Sequence, residues 1–207
     1  MKDKSRETNH RGQGAAGAVL GAAIVTMGLI SGTFYIFSCG VMPGLGRSDD
    51  RVFIEVMQNM NDAFNNPVFF ASFLGALLFT AVSAWQLRGT SSYRWVLAAL
   101  VVYLAAFVIT SVVNVPLNDE LADAGDPSKI GDPAAVREDF EDPWLAWNAV
   151  RTLLSTVAIG LLARALVLRG RDRVRGRDGA RGRDSGERGS ARQSAYFDSA
   201  AGSSESR

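Results

Sequence analysis

Trp144, Trp147, Asn148 and Arg151 stand in the stretch WLAWNAVR. On an α-helix their spacings of i, i+3, i+4 and i+7 put all four side chains on one face. Arg151 then lies roughly 10 Å further along the axis than Trp144, at about 1.5 Å per residue. The stretch opens the last long apolar run of the chain, so a fixed positive charge falls inside that run. A charge at such depth is costly in hydrocarbon and must face protein or a wet cavity. Arginine presents several donors in a rigid fork, so the chemistry this face supports is anchoring of an anionic or polar ligand group. Asn114 and Asn118, on either side of Pro116, are the residues expected opposite it. The plainer alternative is structural: asparagines near prolines cap helices, and a buried arginine bonds loop carbonyls.

The elements that must position these residues are apolar and long. The runs Ala15 to Cys39, Pro67 to Leu87, Tyr93 to Val115 and Trp144 to Leu168 are each long enough to cross a bilayer, which takes roughly 20 residues. Segments such as VLAALVVYLAAFVITSVV have no polar face, whereas a helix of a soluble bundle keeps one. The expected fold is therefore all-α, a four-transmembrane-helix bundle with short outer helices in its two long loops. Three regions follow: a polar N-terminal tail over 1–13, the membrane domain over 14–168, and a disordered tail over 169–207. That tail repeats RGRD at Arg169, Arg175 and Arg181 and is otherwise rich in Ser, Gly and Ala, with little to bury. Its positive charge favours anionic headgroups; it reads as a solvated topogenic tail, with no nucleic acid partner.

Charge is segregated along the chain. Lys2, Lys4, Arg6 and Arg11 precede the first run, Arg88 and Arg94 bracket the link between the second and third, and Arg169 begins the basic tail. The two long loops are acidic, with Asp49, Asp50, Glu55 and Asp62 in the first and a run of acids from Asp119 to Asp142 in the second. The positive-inside rule then puts both termini in the cytoplasm of a multi-pass plasma-membrane protein, with both long loops outside. The first run is expected to be an uncleaved anchor.

Local signals mark the joints. Gly17, Gly21, Gly28 and Gly32 form one stripe, expected as a packing seam between helices or as a homo-oligomer contact. Pro43 and the glycines of FSCGVMPGLG are expected to break the first helix, and Pro116 the third. Ser48 is the expected cap of a short amphipathic helix whose apolar stripe is Phe53, Met57, Met60 and Phe64. Asn66-Pro67 and Asp142-Pro143 read as cap and first residue of the second and fourth spans, and Asp132-Pro133 starts a short helix to Phe140. The two halves thus share one plan, as a duplicated helical hairpin would.

Ser38, Asn66, Asn114, Asn118, Asn148 and Arg151 all fall near the outer ends of their spans, so four helix ends bring polar groups to one level. The only histidine, His10, lies in the N-terminal tail, and the single cysteine, Cys39, permits no internal disulfide. Haem, non-haem iron and copper lack their usual ligands, so no metal or other cofactor is expected.

The motifs FYIFSCGVMPGL, MQNMNDAFNNPVF, NVPLND and WLAWNAVR, in that order over roughly Gly17 to Leu168, resemble the anthrone-oxygenase-like family of small four-helix membrane proteins. The resemblance implies a cofactor-independent oxidation of a lipophilic polycyclic aromatic or polyketide-type substrate. Such chemistry needs a general base and donors for a developing oxyanion. Arg151, Asn148, Asn114 and Asn118 are the candidate catalytic donors, and Asp119, Glu120 or Asp62 the candidate base. Trp144, Trp147, Met57 and Asn66 are the candidate substrate contacts. The alternative is a non-enzymatic membrane protein that binds a lipophilic ligand or serves as an accessory subunit. A channel is the poorer reading, since one arginine and no acidic ring make a weak ion path.

Overall fold

The computed structural model describes the backbone of residues 2–202 and, with side chains, residues 14–176. The polar stretch at 1–13 and most of the basic tail, including the disorder expected there, lie outside the residues whose side chains are described. All regular structure is helical among the described residues. The order is α1 (Lys2–Ile36), a π turn (Phe37–Val41), α2 (Met42–Leu45), α3 (Asp50–Phe64), α4 (Pro67–Gln86), α5 (Tyr93–Ile109), a second π turn (Thr110–Asn114), α6 (Val115–Asp123), a 3-10 turn (Pro127–Lys129) and α7 (Pro133–Gly202).

Among the described residues, four stretches are long and apolar enough to cross a membrane: Gly14–Leu45, Pro67–Gln86, Tyr93–Asp123 and Pro133–Gly176. The second agrees with the expected span. It begins as its sequence dictates, with Asn66 Oδ1 accepting from the amides of Val68 and Phe69 and Pro67 in the first turn. The others run past their expected ends. Pro43 and Pro116 do not break α1 and α5, because a π turn comes just before each proline. Met42 N–H reaches back to Phe37 O, and Val115 N–H to Thr110 O. The wider turn sits where a proline ring would crowd an unbroken α-helix, and the helical path continues. Asp142-Pro143 is likewise not a helix start. α7 begins ten residues earlier at Pro133, where Asp132 Oδ1 accepts from the Ala135 amide, and Pro143 lies inside it. Pro143 and Asp139 are exposed, so water can satisfy the Asp139 carbonyl that the proline leaves without a donor. The cap of α3 is Asp49, whose carboxylate accepts from the Arg51 amide, rather than Ser48.

Two cores form. One fills the bundle, where Ala23, Ala76, Ala99, Ala106, Ala158 and Ala165 interleave with Leu20, Met27, Ile30, Tyr103 and Leu162. Alanines at these contacts let backbones approach closely, which is how helices associate in lipid. The glycine stripe of α1 does not do this job: a side chain added at Gly21, Gly28 or Gly32 would meet nothing within 4 Å. Gly75 of α4 does face α1, and an added Cβ there would sit in ordinary contact, 3.5 Å from Thr26. Large apolar side chains such as Val25, Leu29, Leu78, Val101 and Leu153 point outward, as a lipid-facing surface requires.

The second core lies at the α3 end. Phe53, Ile54 and Met57 of α3 pack against Met42, Leu121, Ile130, Phe140 and Trp144. Polar ties hold α3 down. Arg137 reaches Glu141, Asp50 and the carbonyls of Ser48 and Gly46, with Phe53 under its guanidinium at 4.5 Å. Arg51 bonds the carbonyls of Pro127 and Ile130, and Gln58 those of Leu121 and Gly125. The amphipathic stripe therefore buries against protein, and α3 roofs one end of the bundle.

Candidate functional site

The second π turn sets the geometry of the site. Thr110 and Asn114, four residues apart on its buried face, point to α7, Thr110 at Arg151 and Asn114 at the Trp144 carbonyl. From α7, Trp144, Asn148 and Arg151 turn inward. Phe34 of α1 and Ser38 of the first π turn meet them.

Arg151 is 5% exposed. Its Nη2 donates to Asn148 Oδ1 at 2.8 Å and its Nη1 to Thr110 Oγ1 at 3.4 Å. Its guanidinium stacks over the Phe34 ring at 4.3 Å and lies 5.5 Å from the Trp144 ring. No carboxylate pairs with it among the described residues; the salt bridges found there belong to Lys129 and Arg137. Nε of Arg151 and Oδ1 of Asn114 are buried with no protein partner. A charge taken out of water normally needs an opposite charge or a full set of hydrogen bonds, and this one has neither.

Beside it is a cavity of about 330 Å³. Its walls are aromatic: Phe34, Phe37, Phe64, Phe69, Phe70, Phe73, Phe107 and Trp144 line it. The rings form a chain of contacts, Trp144–Phe37 at 5.5 Å, Phe37–Phe64 at 5.7 Å, Phe64–Phe69 at 5.1 Å, then stacked pairs Phe69–Phe73 at 5.8 Å and Phe73–Phe107 at 4.8 Å. The polar groups on its wall include Arg151, Asn148, Asn114, Thr110 and Asn118. Phe70 and Leu74, about half exposed on α4, bring the cavity to the outward face of the bundle. A second, polar cavity of about 440 Å³ shares Asn61, Asn65, Val115 and Asn118 with the first. It carries Asp62, Asp119 and Asp126. Hydrogen bonds from Ser128 and Lys129 hold the Asp126 carboxyl below its ordinary value. An apolar slot with a cationic end and a wet acidic antechamber suits a flat, lipophilic molecule with one anionic or strongly polar oxygen.

The sequence-predicted residues divide. Arg151, Asn148, Asn114, Asn118 and Trp144 come together at the cavity. Their roles differ: Trp144 Nε1 donates to Asn118 Oδ1 at 2.8 Å, and Asn114 Nδ2 donates weakly to Trp144 O at 3.4 Å. Trp147 points away from the cavity, 40% exposed, because it lies at the edge of the face, about 100° around the helix from Asn148. Met57 is buried in the α3 core and not on the cavity wall. Asn66 spends its side chain capping α4, and its neighbour Asn65 lines the cavity instead. Asp62 and Asp119 sit in the vestibule, and Glu120 lies outside both cavities. The aromatic wall and Thr110 escaped sequence reasoning. The only hint was Phe69 and Phe73 at a spacing of four, a pattern shared by ordinary core residues.

No metal-ligating group of three or more His, Cys, Asp or Glu occurs among the described residues. No curated protein and no solved structure matches the chain. A family model described as anthrone oxygenase matches residues 57–161. The matched stretch runs from α3 through α4, α5 and α6 into α7 and includes the cationic end of the cavity. With half of its length so matched and four helices apolar enough to span a membrane, the chain belongs to the anthrone oxygenase family of membrane proteins.

Proposed function

We propose that this protein binds a planar, lipophilic polycyclic ketone or phenol in the aromatic cavity and oxidises it with dioxygen, without a metal or organic cofactor. The observation that carries the reading is Arg151, a buried guanidinium with only neutral partners on the wall of an apolar cavity. A fixed cation there favours an oxyanion. A substrate whose ring CH2 is acidified by a conjugated carbonyl loses a proton and becomes an enolate, with its charge on the oxygen facing Arg151. The enolate gives one electron to dioxygen, the two radicals join to form a C–O bond, and a hydroperoxide results. Loss of water from it breaks the O–O bond and the remaining C–H bond. In sum, CH2 and O2 become C=O and H2O.

The protein's part is to bind, orient and lower the cost of the enolate. Asp62 and Asp119 are the acids placed to take the released proton through the vestibule. We place both termini in the cytoplasm of a plasma-membrane protein, because lysine and arginine cluster at the termini and in the short link between the second and third spans. A binding-only protein is the second reading. It is favoured by the absence of any carboxylate or histidine from the wall of the aromatic cavity itself. Oxygen uptake by purified protein in lipid nanodiscs, given anthrone, decides between them. The expected result is uptake of one O2 per anthrone at a rate well above empty nanodiscs, largely lost in Arg151→Leu and Arg151→Lys. Lysine keeps the charge but loses the fork. Uptake equal to empty nanodiscs overturns the oxygenase reading, and full activity in a folded Arg151→Leu protein overturns the role of the guanidinium.

A further inference from the structure

Asn148 is fully buried, and both hydrogens of its amide are committed, so it has no donor left for an anionic ligand. Nδ2 donates to Phe34 O at 2.9 Å and to Ser38 Oγ at 2.7 Å, while Oδ1 accepts from Arg151 at 2.8 Å. The Phe34 carbonyl can only accept, which fixes which end of the amide faces α1 and which faces the arginine. The usual way to hold an arginine in a dry interior is an acidic partner. An aspartate differs from asparagine by one atom and would offer an oxygen at the same place. Here the holding group is neutral, and so is the other partner, the Thr110 hydroxyl. The guanidinium is therefore positioned without being neutralised.

We propose that Asn148 is a positioning residue rather than a ligand contact, and that its neutrality makes the cavity selective for the ionised form of a planar aromatic ligand. The inference rests on the aromatic cavity being a ligand site, but not on any reaction with dioxygen. A carboxylate at position 148 would form an internal ion pair with Arg151 and leave no net charge for the ligand. Opposite charges a few ångströms apart in a medium of low polarity interact far more strongly than in water, so the preference should be large.

The test compares anthracene-9-carboxylate with anthracene-9-carboxamide, which share shape and differ in charge. Binding of each to the full chain in zwitterionic lipid nanodiscs is measured by equilibrium titration and corrected with empty nanodiscs. The wild type should prefer the carboxylate by at least about tenfold, roughly 1.4 kcal/mol. Asn148→Asp should abolish that preference, the two probes then binding within about threefold of each other. Thr110→Asp, which brings a carboxylate to Arg151 from the opposite side with Asn148 intact, should do the same and covers the case in which the first variant does not fold. Equal binding of the two probes by the wild type overturns the proposal, as does a retained carboxylate preference in either folded aspartate variant. Oxygen uptake by anthrone without any charge preference would sink this inference and leave the oxygenase reading standing. Charge-selective binding without oxygen uptake would do the reverse.

Discussion

The polar side chains buried in this bundle differ in what they hold. Tyr103 is fully buried and donates to the Phe73 carbonyl at 2.9 Å, across from α5 to α4. It joins two backbones and lies off the wall of the cavity. Interhelical hydrogen bonds in membranes average about 0.6 kcal/mol. Tyr103→Phe should therefore lower stability by about that amount, with little change in ligand affinity; thermal unfolding in detergent beside a probe titration checks both. Arg151 is the opposite case. It bonds side chains rather than a backbone carbonyl and its cost is electrostatic, so Arg151→Leu should leave stability unchanged or raised while abolishing anionic probe binding. A large drop in thermal stability in that variant would instead mark the arginine as part of the scaffold.

Two proline-preceded π turns give the elements their shape. Phe37–Val41 before Pro43 and Thr110–Asn114 before Pro116 stand at equivalent places on the first and third spans. The sequence suggested a shared plan of proline breaks and Asx-Pro starts; what the two halves share is the π turn, without the breaks and without a start at Asp142-Pro143. A π turn holds one residue more than the α path, so removing it rotates one side of the helix by about 100° relative to the other. Pro116→Ala restores an amide and removes the reason for the turn. The variant should fold with equal or greater stability, gain a slowly exchanging amide at 116, and lose probe binding as Thr110 turns away from Arg151 and Asn114 from the Trp144 carbonyl. Unchanged binding would mean that tertiary contacts alone hold the turn. The roof helix is held differently. Arg137 makes hydrogen bonds to two carboxylates and two carbonyls, and bonds to charged groups contribute about 1.5–3 kcal/mol each. Arg137→Met should cost about 2 kcal/mol and speed hydrogen exchange in α3, with little effect on α4 or α5.

Across the whole molecule, chemistry is polarised. The end roofed by α3 carries the cavity, the vestibule and the Arg137 network, while the opposite half of the bundle is packed with alanine, leucine and methionine. The proposed orientation puts the vestibule outside the cell. A single cysteine introduced at Ser128, in the exposed turn beside the vestibule, on a Cys39→Ala background, should react with an impermeant thiol reagent added to intact cells. A cysteine at Thr90, in the exposed link between α4 and α5, should react only after lysis. The reverse pattern would invert the topology and send the released proton to the cytoplasm.

Length and composition alone determined the four spans, because hydrocarbon demands about 20 apolar residues and satisfied backbone groups whatever the rest of the fold does. Asn66-Pro67 and Asp132-Pro133 determined helix starts, since capping and the fixed φ of proline act within one turn. The WLAWNAVR spacing put Arg151, Asn148 and Trp144 on one face, because helical periodicity is also local. The rotation of each helix was another matter. A span apolar on all sides carries no polar stripe to tell lipid from core, so only packing decided that Gly28 and Gly32 of α1 face outward and that alanines fill the seams. Only packing, too, brought Phe34, Phe69, Phe73 and Phe107 from three helices into one wall. Continuity across Pro43 and Pro116 depended on π turns that no local rule requires. Whether Asn148 touches a ligand or holds an arginine depended on where the Phe34 carbonyl came to lie, more than a hundred residues away in the chain.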